Sequence, residues 1–370
     1  MSSNQQERSA LTEMSLNKSL LPSAINFMGM HTDPNKIFQR KRQQSLTSSF
    51  IASPMVSLSR KRKNNLTDIE STTISKKMRI WNDFQDDVAK NNDIKMVKEY
   101  TSDIFNYFYK REIELAPSCA YTKDKHSIYY LKSKLRTILV DWLVQVHEKF
   151  QCVTETLLLA INIMDRFLSK SKVSTSKLQL VTITSLFIAA KFCEINLPKL
   201  SNYSYVTDGA ATEQDIKNAE YQILDALNFE IAWPNPMDFI RRISKSDHYE
   251  ETTRKYAKII VEFAYCSSLS IELNPSLISV LAMFIAKKIS KKDNEDENDE
   301  QLIKWLTPFM NRDDYHDLED ASIIIKKYSS LLIDEIVTPA VKVECLIQKF
   351  KEQNLYNDLY THCKDLKKED

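Results

Sequence analysis

The densest run of chemistry-bearing side chains is Asp313-Asp314-Tyr315-His316-Asp317, carboxylates spaced as if to hold magnesium and, through it, a diphosphate. That chemistry also needs a second ligand cluster on a facing helix and a deep apolar cavity. Here the acids fall in a polar stretch after Pro308, so the pattern reads as accidental. No Ser/His/Asp or Cys/His constellation stands out, and the six histidines are scattered. Cys119, Cys152, Cys193, Cys266, Cys345 and Cys363 are widely spaced without a C-x-x-C, which fits neither a disulfide framework nor a zinc site. Gly29 and Gly209 are the only glycines, which excludes a Walker loop, a dinucleotide fingerprint and a kinase-type glycine-rich lid. No catalytic residue, metal site or cofactor is expected. The remaining charge signals are two basic clusters, Arg60-Lys61-Arg62-Lys63 and Lys76-Lys77-Met78-Arg79, and single charges on apolar helices, Lys191 and Glu220 among them. From spacing alone Lys191 is a solvated helix end and Glu220 a surface acid.

The elements that carry these residues are helices. With 43% hydrophobic content, 370 residues are enough for one large core or two ordinary ones. Glycine alone takes positive φ without strain, so its near absence argues against hairpins and for helices joined by polar turns. Residues 1–90 are polar, carry no sustained apolar period and are expected to be a disordered tail. Residues 91–232 read as an N-terminal helix and a first domain, with helices over 131–150, 154–169, 174–192, 199–206 and 212–227. Thr154 and Ser174 stand as N-caps, and Thr212 with Asp215 forms a capping box. In the first of these helices Leu135, Ile138, Leu139, Trp142, Leu143 and Val146 make one apolar stripe. The third, LQLVTITSLFIAAKF, is apolar almost all round and should be central. Pro234 and Pro236 break the chain at a joint. Residues 233–370 then form a second helical domain, with helices expected over 254–269, 274–289, 301–310, 318–336 and 339–350. The formal net charge of +1 gives no global field toward nucleic acid or an anionic membrane. No apolar run approaches the ~20 residues of a bilayer span. The start MSSNQQERSA lacks a signal peptide's apolar core, so a soluble intracellular protein is expected.

Asp141-Trp142-Leu143-Val144, Glu155-Thr156-Leu157, Asn162 to Leu168 (NIMDRFL), Lys177 to Val181 (KLQLV), Phe187 to Phe192 (FIAAKF) and Pro234-Asn235-Pro236-Met237 follow in the order and spacing of mitotic-type cyclins. The chain resembles a B-type cyclin. His147-Glu148-Lys149-Phe150, Leu197-Pro198-Lys199 and the run from Tyr205 to Thr212 lean toward the fungal S-phase subgroup. The likeness is dense over 98–262, fainter beyond and absent from the first ninety residues. It implies an all-α fold of two tandem five-helix cyclin folds behind an N-terminal helix and a disordered tail. The implied role is a regulatory subunit, not an enzyme, that activates a cyclin-dependent serine/threonine kinase and helps to select its substrates in S phase or G2/M. The alternative is a cyclin-fold transcription factor on promoter DNA, which would need a basic groove between domains, whereas this chain keeps its strongest basic clusters outside the folds.

By the same resemblance, Lys191 and Glu220 grip main-chain groups at the kinase's αC helix, with Ile188, Phe192, Glu194, Leu224, Phe229 and Ile231 around them. Cys193 replaces a customary acid and reads as a half-buried bystander. Leu135, Leu139, Trp142, Gln145 and Gln179 match a groove that docks Arg-x-Leu peptides of substrates or inhibitors. Leu135 and Thr137 replace the usual methionine and alanine, and the neutral Gln145 replaces an acid. A single helix is not expected to bury all of these residues against its own domain. Arg136 and Asp165 match an internal ion pair. In the tail, Arg8 and Leu11 resemble a destruction box read by ubiquitin-ligase machinery, and Ser53-Pro54 a proline-directed phosphorylation site. Arg60 to Lys63 with Lys76 and Lys77 fit a bipartite nuclear-import signal; no aromatic lies between them for base stacking. A nuclear protein, partly cytoplasmic, follows, with no membrane or nucleic-acid partner and no cofactor of its own.

Overall fold

The computed structural model describes residues 98–247, 250–290, 298–353 and 355–369, and every regular element among them is helical. The tail motifs at Arg8, Leu11, Ser53, Arg60 to Lys63 and Lys76 to Arg79 lie outside the described residues.

A 3-10 turn leads into α1 (Thr101–Glu114), and a short α2 (Ala120–Lys123) follows. The first five-helix set is α3 (Ser133–Phe150), α4 (Thr154–Lys170), α5 (Leu178–Cys193), α6 (Leu200–Tyr205) and α7 (Glu213–Ala226). Helix α5 packs against α3, α4 and α7 and is buried continuously from Leu180 to Ala190. It tolerates Thr182, Thr184 and Ser185 in that setting because each hydroxyl donates to the carbonyl one turn back, at 2.7–2.8 Å. By length and hydropathy Thr175–Cys193 would suffice to cross a bilayer, contrary to the expectation that no run does. Its apolar character is accounted for by the three helices around it.

The capping box at Thr212 and Asp215 is present. The caps expected at Thr154 and Ser174 are not. Val153 is the N-cap of α4, and the start of that helix is held from outside by Glu194, whose Oε1 accepts from the Val153 N–H at 2.8 Å and the Thr156 hydroxyl at 2.6 Å. Ser174 instead precedes a 3-10 turn over Thr175–Lys177 without capping it.

The second set begins earlier than the periodicity suggested, with α8 (Pro236–Ser246). Pro236 ends the preceding segment yet suits the first helical position, where its missing N–H needs no partner, and Asn235 caps the helix through the Met237 N–H at 3.0 Å. There follow α9 (Glu251–Cys266), the short α10 (Leu269–Glu272), α11 (Pro275–Ser290), α12 (Asp299–Leu306) and α13 (Leu318–Val337). Helix α11 packs against α8, α9 and α13, much as α5 does in the first set. Two helices remain outside both sets, α14 (Glu344–Glu352) and α15 (Tyr356–Glu369). One apolar cluster is continuous through both halves.

The acids of the D-D-x-x-D run serve this framework. Asp317 caps α13 through the Asp320 N–H, and Asp314 accepts from Asn274 at 3.2 Å. No group of acids, histidines or cysteines arranged to hold a metal occurs among the described residues.

Candidate functional site

Lys191 and Glu220 come from different helices and meet at the surface. Lys191 sits in the last turn of α5, and Glu220 lies on α7 one turn from Ile216 and Ile223, which point into the core, at the half-buried edge of that side. Lys191 Nζ donates to Glu220 Oε1 at 2.6 Å and lies 4.4 Å from the centre of the Phe187 ring. The lysine side chain keeps 44% of its exposure and the glutamate 17%. An ion pair that open adds at most ~1 kcal/mol to folding, so stability does not account for its placement.

Around the pair the surface is apolar. Phe192, Ile195, Tyr221 and Phe229 are all more than half exposed, which burial of apolar area alone would disfavour. Phe229 owes its position to a turn in which Asn228 and Phe229 adopt φ of 51° and 58°, the left-handed region that a non-glycine residue enters at a cost of ~1–2 kcal/mol. The turn is secured by the Phe229 N–H to Leu224 carbonyl bond at 2.8 Å and the Glu230 N–H to Leu227 carbonyl bond at 3.0 Å. Leu224 is half-buried at its base.

Not every residue assigned to this surface reaches it. Ile188 and Ile231 are buried and support it from beneath. Glu194 is committed to the start of α4, so its carboxylate is already partnered. Cys193 is half-buried, and that burial pushes its thiol up, away from the thiolate. Ile195 and Tyr221 were missed because neither belongs to a recognised motif; their signal would have been apolar residues on the polar side of a helix or in a loop. Tyr100, Ile104 and Tyr107, at the start of α1, are exposed as well.

The second surface is shallower than expected. Leu139 and Trp142 are buried, and Leu135, Ile138, Gln145 and Gln179 are half-buried, so α3 does bury nearly all of its apolar stripe. The reason is the second half of the chain: α14 packs on the flank of α3 that its own domain leaves open. Asp141 accepts from the Cys345 and Leu346 N–H groups at 3.1–3.2 Å and so caps α14 from another helix. What stays open is a strip of Leu135, Ile138, Gln145 and Gln179 over a Leu139–Trp142 floor.

Arg136 and Asp165 form a bidentate pair at 2.9 and 2.7 Å, fully enclosed. Tyr121 donates to the same carboxylate at 2.6 Å. The arginine also donates to the carbonyls of Tyr265 and Ser267 and to the Ser270 hydroxyl, so it joins the two halves as well as α3 to α4.

Comparison with known proteins bears on the two helical sets. The family model for the cyclin N-terminal domain matches residues 103–232, and that for the cyclin C-terminal domain matches 234–356. S-phase entry cyclin-5 of Saccharomyces cerevisiae is 47% identical over 280 residues, 76% of this chain and 62% of that protein. S-phase entry cyclin-6 of the same yeast is 39% identical over 356 residues, 92% of this chain and 90% of that protein. The yeast G2/mitotic-specific cyclin-2 is 43% identical over 220 residues, 59% of this chain and 43% of that protein. The chain therefore spans less than two thirds of the first and third of these relatives and nine-tenths of the second. With both cyclin domains matched in tandem and one relative aligned over nearly its whole length, this chain belongs to the cyclin family, among the fungal B-type and S-phase cyclins.

Proposed function

We propose that the chain is the regulatory subunit of a cyclin-dependent serine/threonine kinase, without catalysis of its own, acting in S phase or at G2/M. The observation that carries this reading is the exposed Lys191–Glu220 pair set in a surface of unburied aromatics where α5, the most deeply packed helix of the first fold, ends beside α7. Such a surface suits a partner's helix: the apolar side chains supply affinity, and the charged pair supplies donors and acceptors for main-chain groups at the helix end. Holding the kinase's αC helix inward would keep its Lys–Glu ion pair and magnesium-binding Asp in place. Moving a two-state partner from mostly inactive to mostly active takes ~5 kcal/mol of differential affinity, within reach of a broad apolar interface.

The strip beside Trp142 is the proposed docking site for Arg-x-Leu substrates or inhibitors. With Gln145 in place of an acid, recognition of the peptide's arginine rests on a neutral acceptor, at a loss of ~1.5–3 kcal/mol against a charged one. Turnover through ubiquitin-ligase machinery at Arg8 and Leu11, nuclear import through the two basic clusters, and a mainly nuclear location complete the proposal. No observation favours the promoter-binding alternative. Purification of the chain from cells should bring down a protein kinase whose activity falls when the chain is removed and returns when it is added back. Recovery without any kinase, or with one indifferent to the chain, contradicts the reading.

A further inference from the structure

A cleft of about 310 Å³ opens between the end of α1, the 115–118 connector, the end of α4 and the turn at 227–230. Its walls carry Arg111 and Glu114 from α1, Arg166 and Lys170 from α4, and Glu230 from the turn. Arg166 is the unusual member. It is only 5% exposed, yet no carboxylate lies within ion-pair distance of it among the described residues. Its Nη1 donates to the Glu230 carbonyl at 2.8 Å and more loosely to Asn162 Oδ1 at 3.5 Å. Its Nε and Nη2 donate to no described residue.

Those two N–H groups form the edge of a guanidinium that takes both oxygens of an oxyanion side-on. Arg136 shows the same edge in use, clasping Asp165 through Nε and Nη2. Arg166 follows Asp165 directly in the chain and has no such acid. Enclosing a guanidinium without a counter-charge is unfavourable, and desolvation, with Arg111 close by, lowers its pKa to about 10 despite the opposing pull of Glu230. Arg111 adds a second unmet donor: its Nη1 is taken by Glu114 at 2.7 Å and its Nη2 by Glu230, but its Nε is buried without a partner. Lys170 lies one turn beyond Arg166 on the same face of α4, exposed and without a partner among the described residues.

We infer that this cleft binds a phosphate monoester, with the Arg166 fork on two oxygens and Lys170 on the rest. A carboxylate would satisfy the fork alone. A phosphate near neutral pH brings three oxygens and close to two negative charges to a cleft whose three cations, Arg111, Arg166 and Lys170, exceed its two acids by one. Glu114 and Glu230 exceed Arg111 by one charge and limit the affinity, so removing one of them should strengthen binding. The group could arrive on a phosphorylated serine or threonine of a peptide or as free inorganic phosphate. The inference does not depend on the kinase reading.

Calorimetric titration of the full chain at fixed ionic strength, with inorganic phosphate, a phosphoserine peptide flanked by glycines, and acetate, tests it. Phosphate is expected to bind roughly tenfold or more tightly than acetate, the scale of an added charge-assisted hydrogen bond. Arg166→Lys, which keeps the charge and loses the fork, should weaken phosphate binding by about tenfold. Lys170→Gln changes an exposed side chain that does not support the fold and should weaken it severalfold, whereas Glu230→Gln should strengthen it. Tighter binding of the peptide than of the free ion assigns the site to a phosphorylated protein segment, and equal or weaker peptide binding assigns it to inorganic phosphate. Absence of binding by both phosphate probes, or affinities unchanged by Arg166→Lys and Lys170→Gln, overturns the inference.

Discussion

Arg136 and Lys191 are both cations paired with an acid on a neighbouring helix, and their surroundings give them opposite roles. Arg136 is fully enclosed and places all five guanidinium N–H groups: two on Asp165, two on the carbonyls of Tyr265 and Ser267, and one on Ser270. Lysine keeps the charge but has neither the planar fork nor the reach, so Arg136→Lys strands buried acceptors on both folds. It should cost about 3–5 kcal/mol, read from the urea midpoint, and an unchanged midpoint would contradict this role. The Lys191 pair is open to water, and its loss should barely move the same midpoint. The pairing of Arg136 with Asp165 was legible through the family resemblance. Its bonds to Tyr265, Ser267 and Ser270 were not, because a side chain that seeks distant backbone carbonyls leaves no periodic trace. The structural bonds of Glu194 were not legible for a related reason: its partners, Val153 and Thr156, lie across a helix junction.

Among the elements, helices with an unbroken apolar period were legible almost to their ends, since burying that face is what fixes them; α3, α4, α5 and α7 are of this kind. The start of the second set was not, because Pro236 serves equally as a breaker and as a first helical residue. Nor was the packing of α14 on α3, which depends on Asp141 capping a helix some two hundred residues away. Helix α1 is tied to the second fold in the same manner. The enclosed Glu112 carboxylate accepts from the Ser276 N–H at 3.0 Å and hydroxyl at 2.8 Å, at the start of α11, and from Asn311 at 3.1 Å. Burial pushes its carboxyl from 4.5 up to about 7, against the lowering effect of those bonds. The folded state therefore holds this proton more tightly than the unfolded chain does. The resulting stability is fully present below about pH 4.5 and is lost as the pH rises through about 7. Urea unfolding of the wild type and Glu112→Gln across that window should diverge, the glutamate chain losing up to ~3 kcal/mol that the glutamine chain keeps. Parallel pH profiles would show that Glu112 does not titrate there.

At the scale of the whole described fold, the two halves behave as one body because polar residues, as well as apolar ones, cross the seam. Lys349 of α14 is buried between Glu148 of α3 and Glu262 of α9, 2.8 Å from each. With Arg136, Asp141 and Glu112 it ties the second fold to the first. Under the proposed function, that rigidity would suit the surface at Lys191, Glu220, Phe192 and Phe229 to serve as a template to which a partner helix adapts. The most direct test is kinase activation by the Lys191→Ala/Glu220→Ala double variant, alongside its helical circular dichroism. The account predicts activation reduced by roughly tenfold or more with helix content unchanged, the effect of losing polar hot-spot contacts. Undiminished activation by a fully helical double variant would contradict it.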